Sequence, residues 1–344
     1  MSRRLAFWLL GIVVVLLAAS FAVWFWAEST LERGFAIWQA QAATQGWTVK
    51  TGAVSRGGWP LTADLIVHNL SMTGDETTMP GGAAYTADQM VLRLDPRHLD
   101  NVTAHGEGAQ SLRLGPTKPL PFTAERFVLT FPLTPHKPAT SAALDGKELH
   151  FTAPAEGLTI GLLEGQADWS VPHTISGRLS AEAITLPPPP APQAALGSHI
   201  ASATIAGTVS GTVPAAAATP EAAAAGWRDS GGAVMLRHIA VGWGPLGVTG
   251  SATFKLDAAL QPDVTATLRL VGIDETLTAL GAARTISPRA AQAAKAVITL
   301  MAQAPEGGGG TPGVELPLTL HDGSLSLGMI PLATIRKLDW PSGQ

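Results

Sequence analysis

The sequence contains no cysteine, a single tyrosine and few charges: 14% of its 344 residues are Asp, Glu, Lys or Arg. Without cysteine there is no disulfide, no thiolate nucleophile, no Cys-ligated zinc and no iron–sulfur cluster. The same absence leaves the redox compartment open, because a cysteine-free chain suits oxidising and reducing surroundings alike. Basic residues number 22 against 26 acidic ones and form no block, so no nucleic-acid partner is expected. Low charge beside 46% hydrophobic content is too apolar for a disordered chain and unlike a cytosolic enzyme. Scarce Lys and Asn beside plentiful Ala, Gly, Pro and Arg reflect GC-rich coding and say nothing of function.

Catalytic signatures are missing too. The nine histidines (His68, His98, His105, His136, His150, His173, His199, His238 and His321) include no pair at i, i+2 or i+4 and no HExxH, so a zinc site would need distant segments. No Gly-x-Ser-x-Gly elbow is present, and no Gly-x-Gly-x-x-Gly opens a helix after a strand. The glycine run Gly307–Gly310 leads to Thr311-Pro312 and lacks the Lys-Ser/Thr that holds phosphate and Mg²⁺. Asp257, Asp263, Asp274 and Glu275 are close in sequence but fall at strand ends, turns and a helix start, where solvated acids are ordinary. Asn69-Leu70-Ser71 and Asn101-Val102-Thr103 match glycosylation acceptors, which matter only in a eukaryotic secretory pathway. No cofactor, no metal and no catalytic residue is expected, and the chain is not expected to be an enzyme.

What is present begins with Leu5–Ala27, 23 residues without a charge. As a helix rising about 1.5 Å per residue it crosses a hydrocarbon core of about 30 Å. Arg3 and Arg4 precede it, and positive charge stays in the cytoplasm. Leu5, Trp8, Leu9, Ile12, Leu16, Phe21, Trp24 and Trp26 are the expected anchor residues, with tryptophans near both ends as in an aromatic belt. A cleaved signal peptide is the competing reading. Ala18-Ala19-Ser20 is a small-residue site, but the apolar run continues to Ala27, which favours the uncleaved anchor. Either way the body is exported, and a bacterial inner membrane with the bulk of the chain in the periplasm is the expected location.

Leu31, Phe35, Trp38 and Ala42 recur at helical spacing and predict a stalk over 28–45 that Gly46 ends. Beyond it the signal is period two. Ala63, Leu65 and Val67 alternate with Asp64 and His68, Met90, Leu92 and Leu94 alternate with Val91 and Arg93, and similar runs fall at 122–131, 158–163, 174–186 and 200–213. Leu246, Val248, Phe254 and Leu256 share one face of a strand, and Leu268 and Leu270 share one face of the next; together they form a candidate apolar wall. A five-residue loop over 259–263 predicts Phe254 opposite Leu268 and Leu256 opposite Ala266. Asp322-Gly323 predicts a tight hairpin pairing Leu320 with Leu325, Leu318 with Leu327 and Leu316 with Met329.

Helices are expected at 273–281, from Ile273, Leu277 and Leu280, and at 288–303, capped by Ser287-Pro288. Pro187–Pro190 opens a stiff linker over 187–198 that divides a β region at 46–186 from another at 199–344. Ala215–Ala225 and Gly307–Gly313 are expected to be loose insertions. Of ten tryptophans, Trp8, Trp24 and Trp26 belong to the anchor and Trp38 and Trp47 flank the stalk, while Trp59, Trp169, Trp227, Trp243 and Trp340 serve as core packing, or line an apolar groove or touch the bilayer interface. Gly57-Gly58-Trp59-Pro60-Leu61 and Trp243-Gly244-Pro245-Leu246 put the same residue types before an alternating strand, either as related halves or by coincidence.

The N-terminal apolar segment, Gly57–Leu61, the block Trp227–Asp257 with Gln261-Pro262, and the closing LPLTLHDGSLSLGMIPL together resemble a bacterial family, the domain-of-unknown-function family 2125. The resemblance covers most of the chain and carries no catalytic residues. More remotely the chain is similar to AsmA-like envelope proteins, which join an inner-membrane anchor to a long β-groove linked to lipid movement; that step is an analogy of fold. The expected architecture is mainly β: a transmembrane helix followed by curved antiparallel sheet with a few covering helices. Two functions follow: an anchored envelope protein that binds or passes lipid along an apolar groove, or a non-catalytic structural or partner-binding module with a closed core. An exported hydrolase would need convergent acids or His with Ser, which the sequence does not assemble.

Overall fold

Alternation in the sequence becomes antiparallel pairing. The computed structural model of the protein describes residues 3–75, 81–95, 97–133, 139–187, 196–212, 214, 219–282, 313–328 and 330–340, with residues 3–16, 280 and 282 described by backbone alone. These residues form sixteen strands and three helices in two compact units, Met1–Ala142 and Ala143–Gln344.

In the first unit, helix α1 (Arg3–Thr44) runs without a break through both the expected anchor and the expected stalk. It stops where Gly46 takes φ 82°, a left-handed conformation that glycine adopts without a Cβ penalty. Strands β1 (Trp47–Lys50), β2 (Val54–Gly57), β3 (Ala63–Gly74), β4 (Ala83–Asp95), β5 (His98–Leu114) and β6 (Leu120–Pro132) follow. The order is β1-β3-β4-β5-β6, with β2 also paired to β3. One sheet face presents Ala63, Leu65, Val67, Met90, Leu94 and Ala104, and α1 lays Ala27 and Leu31 on it. Ala63, Leu65 and Val67 are completely buried. At about 1.5–3 kcal/mol per fully buried large aliphatic side chain, this cluster holds α1 to the sheet. Phe35 packs against the same cluster, so the stalk spacing in the sequence marks a packing face.

The second unit is a meander. Strands β7 (Ser141–Phe151), β8 (Thr159–Asp168), β9 (Thr174–Thr185), β10 (His199–Ser210), β11 (Ala233–Trp243), β12 (Leu246–Leu256), β13 (Pro262–Val271), β14 (Gly313–His321), β15 (Ser324–Leu327) and β16 (Ile330–Thr334) follow, and from β7 to β16 each lies beside the next. Helix α2 (Pro220–Asp229) stands between β10 and β11, and α3 (Ile273–Ala282) between β13 and β14.

Several expectations change. Strands β9 and β10, on either side of the expected linker, pair with Thr185 opposite His199, and the two compact units divide at Ala142/Ala143. Most of the expected 215–225 insertion is helical. Thr219 caps α2 by accepting from Ala222 N at 3.1 Å, and Pro220 opens the first turn, so the alanines from 222 to 225 are helical. The β12–β13 loop is five residues long but sits two residues earlier, at 257–261, so Phe254 faces Val264 and Leu256 faces Pro262. The reason is Asp257, whose Oδ1 accepts from Ala259 N and Gln261 N, both at 2.8 Å, and so forms the turn that Gln261-Pro262-Asp263 was expected to make. The apolar parity survives because the shift is even. The β14–β15 hairpin pairs Leu320 with Leu325 and Leu318 with Leu327, as Asp322-Gly323 predicts. Met329, the helix expected at 288–303 and the insertion at 307–312 lie outside the described residues.

Candidate functional site

Register places the wall residues in rows. In the first, Val248 is flanked by Val241 and Leu270, and the row continues through Ala203 and Ala181 on one side and Val314 on the other. The next runs Leu179, Ile205, Ile239, Gly250, Leu268 and Leu316. A third holds Gly177, Gly207, Leu236, Ala252, Ala266 and Leu318. The fourth is Ile175, Val209, Val234, Phe254, Val264 and Leu320. Directly opposed residues in antiparallel strands project to the same side of the sheet. From β9 to β14 this face therefore carries no polar side chain in four successive rows. The other face reads Ser180, Thr204, Ala240, Thr249, Arg269 and Glu315 in a single row.

All six expected wall residues are half-buried: Leu246, Val248, Phe254, Leu256, Leu268 and Leu270. The sequence missed the continuation onto β9 and β10, where Leu179 is 44% and Ile205 42% exposed. The signal was available in 174–186 and 200–213, where isoleucine, leucine and valine alternate with small and polar residues. Six strands spaced about 4.8 Å apart spread each row over roughly 24 Å.

Helix α2 closes one end of the wall. Trp227 stacks on Phe254 with ring centroids 6.1 Å apart, and its Nε1 donates to Ser210 O at 2.9 Å. Two glycines bring the backbones together inside the face. A Cβ on Gly250 would strike Thr267 O, and one on Gly207 would strike Met235 O.

The first unit carries a second constellation that the sequence pattern did not single out. Glu28, the first acid after the apolar run, is 0% exposed. Its Oε1 accepts from Gly57 N at 3.3 Å, while Oε2 has no hydrogen-bond partner and lies 3.6 Å from Arg56 Nε. Desolvation pushes the Glu28 carboxyl above the ordinary carboxylate range, against the opposing pull of Gly57 N–H and Arg56. Arg56 also grips Glu32 through Nε at 2.8 Å and Nη2 at 2.6 Å, which holds the Glu32 carboxyl low. Trp24 Nε1 donates to Gly57 O at 3.2 Å. Trp24, Glu28 and Glu32 stand at i, i+4, i+8; that spacing, beside a hydrophobic stripe, was the available signal.

The remaining expected anchor residues divide. Phe21 and Trp26 are exposed, whereas the side chains of Leu5, Trp8, Leu9, Ile12 and Leu16 lie outside the described residues. Among the described residues no helix is long and apolar enough to cross a membrane. Side chains are described for only the last part of Leu5–Ala27, from residue 17 onward.

Polar chemistry is dispersed. Among the described residues no three His, Asp or Glu side chains gather as a metal set. Arg93 and Asp64 form a two-pronged ion pair at 2.9 and 2.7 Å on the sheet face opposite the core. Tyr85 donates to Gln110 Oε1 at 2.7 Å within the buried side. The two Trp-Gly-Pro stretches are both turns, but they differ in use. Trp59 is largely exposed, whereas Trp243 is half-buried and donates to Gly197 O at 2.9 Å.

The bacterial family described as "Uncharacterized protein conserved in bacteria (DUF2125)" matches residues 24–336. This chain belongs to DUF2125. The matched stretch of this DUF2125 member starts at Trp24, the residue through which α1 bonds to Gly57, and takes in the whole apolar wall. No curated protein and no solved structure matches the chain.

Proposed function

We propose that the protein is an exported envelope protein, anchored in the bacterial inner membrane by Leu5–Ala27, whose second unit binds or passes lipid along its apolar sheet face. The four uninterrupted apolar rows carry this reading. A face of that extent needs a cover, and half-exposed Leu179 and Ile205 on it suit acyl chains better than water. The remote likeness to AsmA-like envelope proteins points the same way, as an analogy of fold.

A photo-reactive amino acid in place of Ile205 or Leu268 in the full chain, irradiated in intact cells, tests it. Lipid adducts are expected by mass spectrometry at both positions and not at Thr204 or Thr267 on the opposite face. Absence of adducts at both wall positions, or equal labelling of the two faces, removes the proposal.

One observation favours the alternative, a non-catalytic partner-binding module. Among the described residues strand β16 is the last in the sheet order; it carries no charged residue, and Ile330 and Leu332 on it are exposed. An edge of that kind accepts a further strand. Protein adducts in place of lipid adducts at the wall positions would support it.

A further inference from the structure

Strand β2 and helix α1 cross in opposite senses. Arg56 bonds Glu32, and one residue later Gly57 bonds Glu28 and Trp24. The chain thus advances toward the N-terminal end of α1 as it leaves β2, and the turn 58–62 lies further along that direction. The crossing is also where the helix changes character. Glu28, Glu32 and Arg33 lie on its C-terminal side, and the uncharged run Leu5–Ala27 on the other.

The turn itself is firmly built. Leu61 N and Thr62 N both donate to Gly58 O, at 3.1 and 2.9 Å. Gly58 has φ +86°, and a Cβ there would sit 2.5 Å from Thr62 Oγ1 and 2.8 Å from Asp64 Cγ. What this scaffold displays is apolar: Trp59 is 48% and Leu61 62% exposed. Phe21, Phe25 and Trp26 are exposed on the neighbouring stretch of helix. Tryptophan and leucine held at the depth where a helix turns from charged to uncharged match the aromatic belt of a bilayer interface.

We propose that the turn 58–62 is a second membrane contact, with Trp59 and Leu61 seated at the boundary between headgroups and acyl chains in the leaflet from which α1 emerges. The inference rests on the reading of Leu5–Ala27 as an anchor and goes beyond it. One helix leaves a body free to tilt and swivel; a second contact beside it fixes both.

The natural absence of cysteine supplies the test. Single variants Phe21→Cys, Leu61→Cys and Ser55→Cys, all at exposed positions, are made in the full chain and labelled with bimane. Each is reconstituted into phosphatidylethanolamine–phosphatidylglycerol vesicles with or without bromines on the acyl chains. The expected result is loss of emission in brominated vesicles for the labels at 21 and 61, with the label at 55 unchanged. Quenching at 21 without quenching at 61 overturns the second contact and leaves the anchor standing. Quenching at neither position overturns the anchor and the contact together.

Discussion

Glu28 is a carboxyl placed where a carboxylate is costly. Its pKa is raised by burial, so the folded protein binds its proton more tightly than the unfolded chain does. The resulting contribution is fully present below the ordinary Glu value of about 4.3 and is lost as pH rises through the raised value. Glu28→Gln keeps the shape and the acceptor for Gly57 N–H without the ionisation. The melting temperature of the variant relative to the natural chain should therefore rise across that window and then level off; a difference that stays flat or falls counts against this account. Trp24→Phe removes the bond to Gly57 together with part of the ring that packs on the core cluster, and should cost about 1–3 kcal/mol in chemical denaturation. Gly58→Ala should cost more than either. It places a methyl against Thr62 and Asp64 and forces a positive φ on alanine, and loss of the α1–β2 crossing should be readable as faster proteolysis near residue 57.

At the scale of elements, the β12–β13 hairpin is governed by one side chain. Asp257→Ala removes both bonds to the loop N–H groups and should destabilise the second unit by about 1 kcal/mol or somewhat more. An unchanged midpoint would show that the register is held by the facing rows alone. The hairpin also shows what the sequence discloses. The sharing of a face by Leu246, Val248, Phe254 and Leu256 is legible because a strand has period two, and any even slip preserves it. Register is not legible, because it depends on which polar side chain folds back onto the loop. Strands, or the later parts of strands, went unseen where alternation breaks. In β11 the apolar set moves from Val234 and Leu236 to Ile239 and Val241 across a bulge. In β3 it moves from Val67 to Leu70 past Asn69, at φ 49°. In β5 the middle of the buried face is Gly106 and Gln110, where a Cβ on Gly106 would strike the Gln110 amide, so no hydrophobic signal exists to be read. Helix α1 was legible from its stripe, but the buried Glu28 was not, since its partners, Arg56 and Gly57, come from β2, more than 25 residues further along the chain.

At the scale of the molecule, the wall matters as a continuous surface, and a charge near its middle should disable it without unfolding the sheet. Ile205 is sufficiently exposed for Ile205→Asp to keep the melting temperature within a few degrees while abolishing lipid adducts at Leu268, in the same row three strands away. Loss of the fold in that variant would mean that the position is core, and the same aspartate at Leu179, also half-exposed, would then decide the matter.

The meander of the second unit has a further consequence, for the order in which the protein acquires its shape. From β8 to β16 every strand finds its partner in the strand made just before it. Such local pairing keeps loop-closure entropy small and folding fast. A chain that becomes free to fold from its N-terminal strands onward can therefore lay down one strand at a time, with no exposed edge waiting for a distant mate. Helix α2, which rests on Phe254 of a strand not yet made when the helix emerges, is the element whose docking has to wait.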